Sequence, residues 1–441
     1  MTASRHLAPT RLFVATSALE AAVHAAALHA GLFPGPARNL LVTADTSPVP
    51  EVSWTATGPL PTDPRFDGVL SWNAAVHPRH PASWQPRESD EPLWERLLRQ
   101  WWQLGDGPVE LVAADPEHAL AQVFADSPVD VCVGSTAAYL PSAAAPDTRT
   151  GTRVGRLLHL DLLPGVTPLL LDEFGVPART VPADALRAVL ADHPAPSPLA
   201  GSPGSPTPGS PTPGSPTPGS PTPDSPPRGT ALLLAGPDKR SAARTLSAAA
   251  DLGHHDATVQ LDAARLLRSG PAWREQAEAA GVRLHVLPAA EPAALGCRLL
   301  RPAAVIGEAS PELLLAHAVF DVPAHRVGSV RATAGGSPER AALAVVADAL
   351  WPSGDRPAAS PSELAGRLRA LAYLRRPAAL PELRGDALRH LDDLPPALVP
   401  RRTRAALGLP GGLPAPFTTA ARTPVARRTV RRLRALRPPA E

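Results

Sequence analysis

The chain is short of cysteine, lysine and aromatic residues, and each shortage narrows what it can be. Only Cys132 and Cys297 carry thiols in 441 residues. Two cysteines cannot form a disulfide framework, and both sit in apolar surroundings, so they read as buried, inert residues of a reducing interior. Lys239 is the sole lysine beside abundant arginine, alanine and proline, a pattern of coding bias more than of binding. A net charge of +2 is too small to mark the whole chain as a polyanion partner, and no specific nucleic-acid contact is expected. No uninterrupted apolar run approaches the ~18 residues of a membrane span. The opening segment places Arg5 and Arg11 ahead of apolar residues, but Glu20, His24 and His29 interrupt it before it can read as a signal peptide. A cytoplasmic protein is the expectation.

What is present is a regular alternation. RLFVA (11–15) reads as a buried strand, Thr16 and Ser17 as a loop and cap, and 18–30 as a helix with apolar residues at helical spacing, stopped by Gly31. NLLVTA (39–44), GVLSW (68–72), VELVAA (109–114) and VDVCVG (129–134) continue as apolar strands, with helices at 91–103 and 116–125. Apolar strands alternating with helices predict an α/β fold built on a parallel, doubly wound sheet.

The pattern then breaks. SPTPG at 205–209 recurs at 210–214 and 215–219, and SPTPD follows at 220–224. Alternate prolines fix φ and remove donors, so this segment is expected to be a polyproline-like spacer. Beyond it the alternation resumes with strands at 231–235, 257–261, 282–287, 303–307 and 323–328 and helices at 240–252, 271–280, 291–300, 310–320 and 337–351. The predicted organisation is an α/β domain over 1–195, a linker over 196–228, a second α/β domain over 229–355, a helical extension over 356–411 and a basic tail over 412–441. Two such domains would face one another across a cleft at the carboxyl ends of their strands. The tail holds Arg427, Arg428, Arg431, Arg432, Arg434 and Arg437, a composition suited to an anionic membrane surface at the inner face. His254, His255 and Asp256 lack a second ligand set at usable spacing, so no metal site is expected.

Five of the eight tryptophans, Trp72, Trp84, Trp94, Trp101 and Trp102, fall between 72 and 102. That segment, VELVAADPEHALAQVFADSPVDV after it and GTRVGRLLHLDLLPGVTPLLLDEFGVP (151–177) resemble the bacterial α-2,8-polysialyltransferase family. PAWREQAEAAGVRLHVL (271–287) and RPAAVIGEASPELLLAHAVFDVPAHRVG (301–328) are similar to its second half. The resemblance implies two Rossmann-like domains in the GT-B glycosyltransferase arrangement. It also implies a CMP-sialic acid donor, a glycan acceptor, inverting transfer and no metal or other cofactor.

The same resemblance locates the site residues. It places an acidic residue before a glycine as the base for the acceptor hydroxyl, where this chain has Val133, Gly134 and Ser135; the nearest carboxylate, Asp130, lies roughly 13 Å upstream on a strand. It places a His-Pro pair near Ala264, and the pair is missing; His77-Pro78, His80-Pro81 and His193-Pro194 read as loop breaks. Gly307 and Ser310 occupy the place where a helix N-terminus would meet the donor phosphate, with Ser310 and Pro311 also an ordinary cap pair. Glu308 and Glu312 would oppose that phosphate. Thr16, Ser17 and Trp84 are the acceptor-side candidates, while Trp72 and Trp94 look like packing residues. Two functions follow: a sialic acid transferase of this family, or a relative that keeps the scaffold and binds a glycan or protein without turnover.

Overall fold

The computed structural model describes residues 8–46, 54–57, 63–142, 148–192, 229–236, 238–261, 263–288, 293–328, 330, 336–352 and 356–410. The pair His193-Pro194, the linker 196–228 and the basic tail 412–441 lie outside the described residues. Two parallel sheets carry the fold. The first contains β1 (Thr10–Ala15), β2 (Arg38–Thr43), β3 (Gly68–Ser71), β4 (Val109–Ala113), β5 (Val129–Val133), β6 (Val154–Leu160) and β7 (Ala178–Val181), in the order β3-β2-β1-β4-β5-β6-β7. The second contains β8 (Ala231–Leu233), β9 (Asp256–Leu261), β10 (Arg283–Pro288), β11 (Ala304–Gly307) and β12 (Ala324–Arg326), in the order β10-β9-β8-β11-β12. Every strand pair is parallel. In both sheets the strand order reverses after the first strand, which is the Rossmann winding.

The predicted strands are present with ends shifted by at most two residues. β6, β7 and the helix Ala183–Asp192 extend the first sheet beyond the strands that alternation picks out. The expected helix 271–280 is longer, Ala263–Ala280, and runs through Pro271. Both sheets belong to one compact unit, residues 1–138, 142–164 and 170–329. The other unit combines 139–141 and 165–169 with 330–441, and contains the helices Pro338–Leu350, Pro361–Arg375, Arg384–His390 and Arg401–Ala406. Within that unit Ser360 and Glu363 form a capping box at the start of Pro361–Arg375. Gly366 receives the His390 ring so closely that a Cβ there would lie 2.3 Å from Nε2. Among the described residues no helix is long and apolar enough to cross a membrane.

β1 shows why the first sheet holds together. All six of its residues are buried, so both faces must be covered: Leu12, Phe13, Val14 and Ala15 pack on apolar partners, and Arg11 pairs with Glu110 at 2.6 Å. Leu12 and Val14 enter a cluster with Trp72, Trp84, Trp102, Leu98, Leu120 and Phe124. Phe13 points the other way, with Phe33, Phe66 and His24 at ring-centre distances of 5.1, 5.6 and 5.7 Å.

His24 is fully buried on helix Ala18–His29, and neither ring nitrogen has a hydrogen-bond partner. Burial pushes its pKa from 6.5 down to about 3, so the folded protein holds it neutral. The unfolded chain binds a proton below pH 6.5 that the folded chain refuses until about pH 3. Stability attributable to this residue is complete above 6.5 and falls by ~1.4 kcal/mol per pH unit on acidification through that window. Urea unfolding of the wild type and His24→Leu at pH 7, 6, 5 and 4 should show the variant losing stability less steeply by about that slope. Equal slopes would remove His24 as the acid-sensitive group.

Candidate functional site

In open parallel sheets ligands bind at the carboxyl edge, where the strand order reverses. The first such point lies between β1 and β4. The chain leaves β1 through Thr16 and Ser17 into helix Ala18–His29, and the helix start is closed by its own side chains. Ser17 Oγ accepts from Glu20 N at 3.2 Å, while Glu20 Oε2 accepts from Thr16 N at 2.7 Å and Thr16 Oγ1 at 2.8 Å. A carboxylate therefore sits where the positive end of the helix would attract an external anion. Thr16 and Ser17 stand at the predicted edge with Glu20 bound to them.

Gly134 follows β5 and packs on the same helix: a Cβ at this position would lie 2.8 Å from Val23 Cγ2 and 3.8 Å from Leu19 Cγ. The position implied for the base thus carries no carboxylate and has little room for one in this direction. Asp130 is the second residue of β5, near its amino end, and Arg156 holds it at 2.7 and 2.9 Å. Arg156 also donates to Leu32 O at 2.6 Å and lies 4.8 Å over the Phe33 ring. Asp130 anchors structure and does not reach the carboxyl edge.

The expectation for Trp84 is corrected. Trp84 is 7% exposed and meets Trp72 and Trp94 edge-on, at centroid distances of 5.3 and 4.8 Å. Trp72 in turn meets Trp102 at 6.3 Å and His118 at 6.0 Å. Edge-to-face contacts stabilise an aromatic cluster, and burial leaves Trp84 no open face for a sugar. The exposed ring of this segment is Trp101, at 54%. The sequence assigns Trp84 to a Pro-bounded loop, which it does occupy; that the loop folds back on Trp72 is a tertiary fact.

The second reversal lies between β8 and β11. Gly307 ends β11 so close to Leu234 that a Cβ would lie 2.6 Å from its Cβ. Ser310 caps helix Pro311–Phe320, accepting from Leu313 N at 3.1 Å, and Pro311 fills the first turn. Capping accounts for both residues. Glu308, one of the two carboxylates that the sequence sets against the phosphate, is paired: Arg244 on helix Lys239–Asp251 donates to its Oε1 at 2.6 Å. Arg244 Nη1 also lies 3.5 Å from where a Cβ would stand on Gly328, which follows β12. Gly236 follows β8, and the Ser241 hydroxyl occupies the space a side chain there would need, 1.7 Å from its Cβ position. Gly236, Arg244, Glu308 and Gly328 thus converge on one edge. Ala264 lies in the first turn of helix Ala263–Ala280.

Two polar residues here are not singled out by sequence pattern. His159, next to last in β6, is 5% exposed, within 3.3 Å of Thr180 Oγ1 and of Leu160 O, and burial holds its pKa below the ordinary histidine value. The available signal is a histidine inside an apolar run near a strand's carboxyl end. Arg244 gives no such signal, because its partner is 64 residues away. Cys132 and Cys297 are free and buried; burial raises both thiols, Cys297 to about 12. Among the described residues no group of three or more potential ligands could hold a metal ion.

No protein-family model and no curated protein sequence matches the chain. Among solved structures it is similar to Phytolacca americana UGT2 complexed with UDP-2-fluoro-glucose and pterostilbene, at 11% identity and TM-score 0.41 over 96% of this chain and 99% of that one. It is also similar to Neisseria meningitidis UDP-GlcNAc 2-epimerase bound to UDP-GlcNAc, at 9% identity and TM-score 0.37 over 68% of this chain and 76% of that one. Likenesses this distant identify no family, and the fold assignment rests on the chain's own strand order.

The Gly134 contact is testable. Gly134→Ala should lower stability by about 1–3 kcal/mol through overpacking against Val23, and adding Val23→Ala should recover part of that loss. Additive effects in thermal unfolding would show that the two residues do not touch.

Proposed function

We propose that this chain is a glycosyltransferase-like protein that binds a glycan or nucleotide-sugar ligand on its two-sheet scaffold and does not transfer sialic acid. The resemblance supports the ligand class, and the strand order supports the scaffold. One observation carries the loss of transfer. Gly134, at the place implied for the proton acceptor, is a glycine pressed on Val23, and Asp130 on the strand before it is held by Arg156. General acid–base assistance is typically worth about 10²–10⁴ in rate, and its removal together with the missing histidine at Ala264 takes away both implied sources of catalysis.

Ligand binding is a separate matter from turnover. With Glu308 paired to Arg244, the charge objection to a phosphate near Ser310 is reduced, which favours CMP as a ligand even without transfer. An anionic membrane surface remains part of the proposal through the Arg-rich tail.

Incubation with CMP-sialic acid and an oligosialic acceptor should give no elongated product by chromatography; sustained product formation would overturn the reading. In calorimetric titration with CMP, Glu308→Gln should bind about tenfold more tightly than wild type, because Arg244 is released toward the phosphate. The same change should alter stability by less than about 1 kcal/mol, since the pair is substantially exposed. Absence of CMP binding to both proteins would leave a glycan or protein as the ligand and exclude the nucleotide.

A further inference from the structure

Helix Ala183–Asp192 ends the first α/β half, and its environment sets it apart from the other covering helices. It packs on helix Ala18–His29 of that half and also on helices Ala293–Leu300 and Pro311–Phe320 of the second. Ala185, Leu186, Val189 and Leu190 are buried along it. Helix Pro311–Phe320 has Leu313, Leu314, Leu315 and Ala316 buried in succession, which fills more than one side of its circumference. A helix that is apolar all round needs cover beyond its own sheet. Helix Ala183–Asp192 provides part of that cover.

The polar contacts at this junction are reciprocal. Arg187, on the first-half helix, donates to Val319 O near the carboxyl end of Pro311–Phe320, and also pairs with Asp184. Arg298, on a second-half helix, donates to Ala191 O at the carboxyl end of Ala183–Asp192 at 3.0 Å. Arg65 pairs with Asp192 at that same end. The last carbonyls of a helix lack internal partners and carry its negative pole, so a guanidinium from the opposite half answers both needs.

We propose that helix Ala183–Asp192 is a non-covalent joint between the two Rossmann-like halves, locked by the exchange of Arg187 and Arg298, and that this joint holds the halves together independently of the connector between Asp192 and Gly229. The inference concerns assembly and goes beyond the proposed ligand function. It implies that the SPTPG repeats can be cut without separating the halves.

The test uses the full chain with a site-specific protease sequence in place of SPTPG at 210–214. After cutting, the two fragments of the wild type should co-sediment at micromolar concentration, at the mass of the uncut chain. The Arg187→Ala/Arg298→Ala variant, shown by circular dichroism to fold before cutting, should dissociate with a Kd at least about tenfold higher. If the alanine pair does not fold, Arg187→Gln/Arg298→Gln keeps much of the side-chain bulk without the charge, and the same tenfold weakening is expected. Wild-type fragments that separate on cutting would overturn the proposal. Variant fragments that hold as tightly as wild type would overturn it equally, by placing the joint elsewhere in the chain.

Discussion

Parallel strands bury both faces, and that requirement organises the unit that carries both sheets. A strand such as β1, with six buried residues in succession, cannot expose either side to water and must be covered by helices above and below. The first sheet meets this with a tryptophan cluster on one face and a phenylalanine-histidine cluster on the other. The cover on the second face includes helix Ala18–His29, on which eight of twelve residues are buried. Its small side chains let Gly134 approach Val23, and the same closeness leaves little space for a carboxylate there. Close packing and the need for glycine at 134 are therefore two aspects of one contact.

Polar groups at the carboxyl edges are mostly engaged with one another. Glu20 closes the start of its own helix, Ser310 caps the next half's helix, and Arg244 answers Glu308. Each arrangement lowers the free energy of the folded chain by satisfying a helix terminus or a charge that would otherwise face the crevice. At the second edge, glycines at 236, 307 and 328 bring backbone close to side chains, and the Arg244–Glu308 pair is partly exposed.

Much of the fold is legible in the residues alone. Strands of four to six apolar residues, followed by caps such as Ser17 and Ser310, mark βα units through local chemistry that depends on residues a few positions apart. β7 and helix Ala183–Asp192 are harder to read, since the exposed strand ARTV lacks the apolar run of a central strand. Pro271 resembles a helix start and so shortens the helix expected there, although Ala263–Ala280 runs through it.

The sequence by itself determined the alternation of strands and helices, the place of the proline-rich break and the absence of a carboxylate at Gly134. These depend on residue type and short-range spacing. The tertiary structure decided that Trp84 packs inside, that Arg244 neutralises Glu308 and that Arg187 and Arg298 cross between halves. Those outcomes depend on contacts between residues 12, 64, 132 and 107 positions apart. Separations of that kind are closed only by the packing of whole sheets and helices, and no local preference encodes them.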